Sequence, residues 1–206
     1  MTTIVDGTAG VTTPGTGSVT LTGSSSGTIQ IVAPATAGTN TLTMPAATDT
    51  VAVQSQAVRQ VVSTFTGTMA TGSGASIPFD NTIPQNTEGD QFMSLSITPK
   101  SATSRLLIDV TWIGATGTVS QTITAALFQD TTANALAAAC CNNATGSGVN
   151  TLRFLYSMTS GTTSSTTFKV RAGADGGGVI TFNGVASTAR MGGVFVSNIT
   201  ITEVGG

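Results

Sequence analysis

The sequence predicts an all-β protein: a short N-terminal stretch of extended strands, then a jelly-roll-like antiparallel β-sandwich. Three observations carry that expectation. Gly, Ser, Thr and Ala dominate, with Val and Ile spread throughout, and β-branched side chains fit a pleated surface while Gly opens tight corners. Apolar residues alternate with polar ones over many short runs, the period-2 pattern of half-buried strands. Turn signals separate these runs, and all six prolines lie at or before Pro99, so the last hundred residues are free to form uninterrupted ladders.

The first 57 residues have their own texture. They contain no Lys or Arg, and only Asp6 and Asp49 carry charge. Residues 18–22 read as a weak strand, followed by a turn over Gly23-Ser24-Ser25-Ser26-Gly27. Two similar units follow, Thr28-Ile29-Gln30-Ile31-Val32-Ala33-Pro34-Ala35-Thr36 and Thr41-Leu42-Thr43-Met44-Pro45-Ala46-Ala47-Thr48, each a short alternating strand ending at a proline and a small-residue turn. Such strands are too slight to form a core alone. Either the stretch is a flexible linker, or its strands pair with copies from other chains or with a larger host surface. The phase kept by Ile29, Ile31, Leu42 and Met44 favours pairing.

Residues 58–206 form the second expected domain. Strands are expected over 59–66, 91–98, 105–113, 121–129, 151–158, 166–172, 179–183 and 194–202. Leu106, Ile108, Val110 and Trp112 share one face, as do Leu152, Phe154, Tyr156 and Met158, and Phe168 with Val170. Turns are expected at Asp80-Asn81, Glu88-Gly89-Asp90, Asn142-Asn143, Gly146-Ser147-Gly148 and Asp175-Gly176-Gly177-Gly178. Residues 133–139, rich in Ala, read as the small-residue floor of a strand and its turn. Eight strands without a helical period suggest two packed sheets. An immunoglobulin-like sandwich ranks second, because its Cys…Trp…Cys spacing is missing.

Composition narrows function. Charged residues make up 8% of the chain against about 25% in an average domain, with a net charge of −2 and a pI near 4.7. Nucleic acid, which needs a basic footprint, is disfavoured as a partner, and so is an anionic membrane surface. No apolar run approaches the length of a membrane span, and the N-terminus lacks the pattern of a signal peptide, so membrane insertion is not expected. Histidine is absent, which removes the commonest general base and makes a Ser-His-Asp triad impossible. The adjacent Cys140 and Cys141 read as small buried or half-buried apolar side chains, with no disulfide framework, as suits assembly in a reducing cytoplasm.

The remaining candidates for chemistry have plain readings. Glu88 and Asp90 form the tightest carboxylate cluster, but adjacent loop carboxylates are more often turn formers than a glycosidase pair or a calcium site. Asp175 to Gly178 lacks the lysine and helix start of a phosphate cradle and reads as a hairpin turn. Arg153, Lys169, Arg171 and Arg190 could form a weak basic patch on one sheet, with Lys169 and Arg171 opposite Phe168 and Val170. No enzyme is expected, and no residue is assigned a catalytic, cofactor-binding, metal-ligating or receptor-binding role.

Residues 77–98, from Ile77-Pro78-Phe79-Asp80-Asn81 through Thr87-Glu88-Gly89-Asp90-Gln91 to Ser96-Ile97-Thr98, resemble the C-terminal domain of tail-fibre and virion-surface proteins of tailed bacteriophages. Ala125-Ala126-Leu127-Phe128-Gln129-Asp130, residues 160–173 and Ile199-Thr200-Ile201-Thr202-Glu203-Val204 fit the same domain in the same order, and residues 27–51 resemble repeats found upstream of it. The resemblance implies a virion protein assembled in the host cytoplasm, commonly a trimer, and carries over no catalytic residue. Low charge and many Thr and Ser on strand faces independently allow copies to pack around an axis, and a closed ring hides edge strands. The leading expectation is a short homotrimeric fibre anchored to tail or capsid proteins through residues 1–57, its sandwich exposed to host-surface glycan or protein. A capsid decoration, cement or head-fibre protein is the alternative. A glycan-cleaving tailspike ranks last, since one Trp and one Tyr make a poor sugar platform.

Overall fold

The structure is a computed structural model that describes residues 18–22, 26, 28–32, 57–143 and 148–205. The chain divides into two compact units, Met1–Thr50 and Val51–Gly206. In the first, β1 (Ser18–Thr22) and β2 (Thr28–Val32) pair antiparallel, from Ser18 opposite Val32 to Thr22 opposite Thr28. These two strands therefore find a partner inside their own chain, because a five-residue connection lets one fold back on the other. The expected strand at residues 41–48 lies outside the described residues.

The second unit is built from β3 (Val58–Thr66), β4 (Ala70–Thr71), β5 (Asp90–Ile97), β6 (Arg105–Thr116), β7 (Gln121–Gln129), β8 (Ala137–Asn143) and β9 (Asn150–Thr159). It continues with β10 (Thr166–Ala174), β11 (Ile180–Phe182), β12 (Gly184–Val185), β13 (Thr188–Ala189) and β14 (Ser197–Val204). The long strands form two four-stranded antiparallel layers, β5-β10-β7-β8 and β3-β14-β6-β9. Their pairing is nested. The first long strand pairs with the last (β3 with β14), the second with the seventh (β5 with β10), the third with the sixth (β6 with β9), and the fourth with the fifth (β7 with β8). Nested pairing wrapped into two layers is the eight-stranded jelly roll.

Alternation decides what lies between the layers. Leu106, Ile108, Val110 and Trp112 of β6 and Ile199 and Ile201 of β14 meet Ile123, Ala125 and Leu127 of β7 and Phe168, Val170 and Ala172 of β10. Trp112 packs at 6.3 Å from Phe92 and 6.2 Å from Phe182, whose rings stack at 5.1 Å, so aromatics bridge the layers near one end. β7 is buried on both faces, since residues 77–88 cross the outside of its sheet as a strap. Ile77 of the strap packs on Ala126 and Phe128. Arg171 donates to the carbonyls of Glu88 at 2.7 Å and Gly89 at 2.6 Å, and Asn86 N–H donates to Ala133 O at 2.8 Å.

The nesting also fixes two ends. The β5–β6, β7–β8 and β9–β10 connections share one end with Ala57 and Gly205, whose N–H donates to Ala57 O at 3.0 Å. At that end Glu203 is buried and receives Gln60 Nε2 at 2.6 Å and the amides of Lys100 at 2.8 Å and Ser101 at 3.3 Å. Burial pushes its carboxyl up, but these donors outweigh burial and hold it below its ordinary value. The Ser104 hydroxyl contributes in the same direction without meeting hydrogen-bond geometry.

Several elements differ from the sequence reading. β8 runs through Cys140, Cys141 and Asn142, so Asn142-Asn143 is a strand end and not a turn. Asn143 is buried there, its Nδ2 donating to Thr116 O and Thr118 O at 3.1 Å each. The strand sets the two cysteines on opposite faces. Cys141 faces the core, where burial and then Cys140 raise its thiol, while Cys140 is exposed on the other side. The turn at Asp175 to Gly178 is not a hairpin: it carries the chain from β10 in one layer to β11 in the other. Of the turn expected over residues 146–148, Gly146 and Ser147 lie outside the described residues.

Two outcomes follow. Gly114 sits where an added Cβ would lie 2.5 Å from Trp112 Cη2 and 2.7 Å from Thr181 O, so Gly114→Ala is expected to destabilise the sandwich by roughly 1–3 kcal/mol in urea unfolding. Because the folded-state value of Glu203 lies below its ordinary 4.5, its contribution is present above about pH 4.5 and lost as pH falls through the lower value. Glu203→Gln should cost roughly 2 kcal/mol at neutral pH and flatten the acid limb of a thermal-stability profile against pH.

Candidate functional site

The seven acidic residues in the described part of the chain all hold structure. Glu88 Oε2 accepts Gln85 N–H at 2.9 Å, and Asp90 accepts the Ser73 amide and hydroxyl at 2.8 Å each. Asp80 caps Thr82, whose side-chain and backbone donors lower its carboxyl. Asp130 accepts Thr166 and Thr167, Asp175 accepts Thr122 N–H, and Asp109 pairs with Arg153 at 2.7 Å. With Glu203 this leaves no carboxylate pair facing a common cleft, and no group of three His, Cys, Asp or Glu side chains lies together among the described residues.

The four cations of the expected basic patch are separated. Arg153 stands on the outer face of β9, in the layer opposite Lys169 and Arg171. Lys169 donates to Asp130 O at 2.8 Å, so this cation and Arg171 are occupied by the backbone carbonyls of Asp130, Glu88 and Gly89. Alternation places Lys169 and Arg171 together as expected, but connectivity sends Arg153 and Arg190 elsewhere.

Arg190 lies at the other end of the sandwich, among the β3–β5, β6–β7 and β10–β14 connections. The last is the longest of these among the described residues after the strap-bearing one, and it is anchored by Asn183. Asn183 Nδ2 donates to Thr66 O at 2.7 Å, and its Oδ1 accepts the Ser197 hydroxyl at 2.7 Å. Beyond this anchor Val149, Val185, Ala186, Arg190, Met191 and Phe195 line an open groove of about 620 Å³. Its walls are mainly apolar, Met191 is 74% exposed, and Val119, Val179 and Val194 are exposed nearby. The Arg190 guanidinium has no hydrogen bond or ion pair among the described residues, although its carbonyl accepts Gly193 N–H at 3.5 Å. The arrangement suits binding: one free cation stands among apolar side chains.

The backbone here is strained. Asn183, Ala186, Ser187 and Met191 all have φ between 48° and 55°. Asn tolerates that region, but Ala, Ser and Met do so at a cost of about 1 kcal/mol or more each. Ala186 and Ser187 are the two residues between β12 and β13, a hairpin turn that ordinarily takes Asn-Gly. Sequence reasoning passed over this loop because Ala-Ser is no turn signature. The available signal was the density of small residues, Gly184, Ala186, Ser187, Ala189, Gly192 and Gly193, in one short stretch.

The fold thus defines a jelly-roll β-sandwich with an apolar, strained loop end. No protein-family model matches the chain, and no curated protein matches it. Among solved structures, infectious bursal disease virus Gx strain is similar at 15% identity with a TM-score of 0.38, covering 87% of this chain and 38% of that one. The VP2 subviral particle of that virus gives 12% and 0.33, covering 86% and 44%. Latent PorU from Porphyromonas gingivalis gives 7% and 0.35, covering 72% and 14%. The chain spans less than half the length of each, and similarity at these TM-scores carries no inference about function.

Replacing Ala186-Ser187 by Asn-Gly should relieve the turn and raise stability by about 1 kcal/mol in denaturant unfolding, without altering the far-ultraviolet spectrum. A loss of stability would mean the turn is not strained.

Proposed function

We propose that this chain is a non-enzymatic structural protein of a virus particle, a short homotrimeric fibre or surface protein of a tailed bacteriophage. The segment up to about residue 57 anchors it to other virion proteins, and the sandwich is exposed. The observation that carries this reading is polarity. The chain enters the sandwich at Ala57, beside Gly205, at the end opposite the apolar loops and Arg190. A tether at one end and an adhesive surface at the other is the arrangement an attachment protein needs. Fold alone cannot decide function, since jelly rolls serve capsids, lectins and enzymes alike.

The colinear resemblance of residues 77–98, 125–130, 160–173 and 199–204 to phage tail-fibre and virion-surface domains supports the same reading. Copies displayed together on one particle would bind multivalently, so a shallow groove with one cation suffices for firm attachment to a host glycan or protein.

Immunogold electron microscopy of intact particles, with antibody against residues 58–206, tests the proposal. Label confined to the tail is the expected outcome for a fibre. Label spread over the head would replace it by a capsid decoration or head-fibre role, and unlabelled particles would overturn the virion reading.

A further inference from the structure

We infer that the outer face of the β3-β14-β6-β9 sheet is the surface through which copies of this chain pack against one another. The inference rests on the homo-oligomeric reading above and assigns it a surface. The two sheets are treated differently on their outsides. The strap crosses the β5-β10-β7-β8 sheet, whereas no described segment of the second unit crosses the other one.

Register lays out that bare face in rows. Phe65, Asn198, Thr111 and Arg153 form one; Ser63, Thr200, Asp109 and Leu155 the next; Val61, Thr202, Leu107 and Ser157 the third. Val58 and Val204 continue it beyond the bulge at the end of β3. Phe65 and Leu155 are each 65% exposed, and Val58 and Val61 are 59% and 56% exposed. Large apolar side chains thus stand at both margins of the face, with threonine and asparagine between them. Apolar side chains gathered on one flat face, and not scattered singly, mark an interaction surface.

Charge points to a second copy as the occupant. Asp109 and Arg153 neutralise each other within the face, and Arg105 donates through Nε to Ser157 Oγ at 2.6 Å. Copies packed through this face therefore bring together surfaces of little net charge, with Arg59 and Arg105 towards the margins, whereas a strongly basic or acidic partner would find little to recognise. In a closed three-fold ring each copy would offer its β3 margin to one neighbour and its β9 margin to the other, so that Phe65 and Val61 meet Leu155.

The test is native mass spectrometry of the full chain beside Phe65→Asp, Leu155→Asp and, as a control at the loop end, Val119→Asp. These side chains are exposed, so each variant should keep its spectrum and melting transition. The expected result is an assembled wild type and control, with both face variants needing about tenfold or more protein to assemble. Assembly of the face variants at the wild-type concentration would overturn the inference and leave the oligomer intact. A monomeric wild type at micromolar concentration would overturn both. If a variant unfolds, carbene footprinting of the wild type decides: Val61, Phe65 and Leu155 should be protected in concentrated protein and labelled on dilution. Labelling equal to that of Val119 at every concentration would sink the inference.

Discussion

β6 is the strand that every other part of the sandwich must accommodate. It runs for twelve residues, pairs with β9 along one edge, and with β14 and then β11 along the other. Its inner face from Leu106 to Trp112 is fully buried. A strand held on both edges and one face can take only one register, because a slip of one residue would turn its whole apolar set towards water. Gly114 is where its neighbours change, opposite both Asn150 and Phe182, and the Trp112 ring occupies the space a side chain would need there. The aromatic cluster, the origin of the loop end and the nesting of the outer strands all follow from that fixed position.

Much of this was legible from alternation. Leu106 to Trp112 and Leu152 to Met158 announced inward faces, and the 121–129 strand appears with the expected bounds. β8 was harder, because Ala, Cys and Asn offer no β-branched pattern and its identity rests on pairing with β7. Pairing order was not legible at all. Turn residues mark where strands stop but not which layer receives the next one, which is why Asp175 to Gly178 read as a hairpin and Arg153 seemed to neighbour Lys169. The groove beside Arg190 was hidden for a related reason: two connections far apart in the sequence build it, and its turn uses residues that disfavour the backbone they adopt.

The chain's few charges also have a common use. Each acidic side chain of the described part ties a turn, a strand end or a neighbouring strand, and Lys169 and Arg171 hold backbone carbonyls. What remains on the broad faces is mostly threonine, serine and asparagine, with apolar groups at the margins of one of them. Such surfaces resist nonspecific attraction to polyanions, since they lack a field, yet they can approach another neutral surface without the cost of stripping water from ions.

The adjacency of Ala57 and Gly205 gives the sandwich a mechanical direction. Force passing from the entry point to the loop end runs along the strands, so β3 and β14 are loaded lengthwise. In that geometry the hydrogen bonds from Ser197 opposite Thr66 to Val204 opposite Val58 share the load together and do not open one after another. A pull between the two neighbouring termini would instead peel the same ladder from one end. The sandwich is therefore stiff along its strands and weak across them.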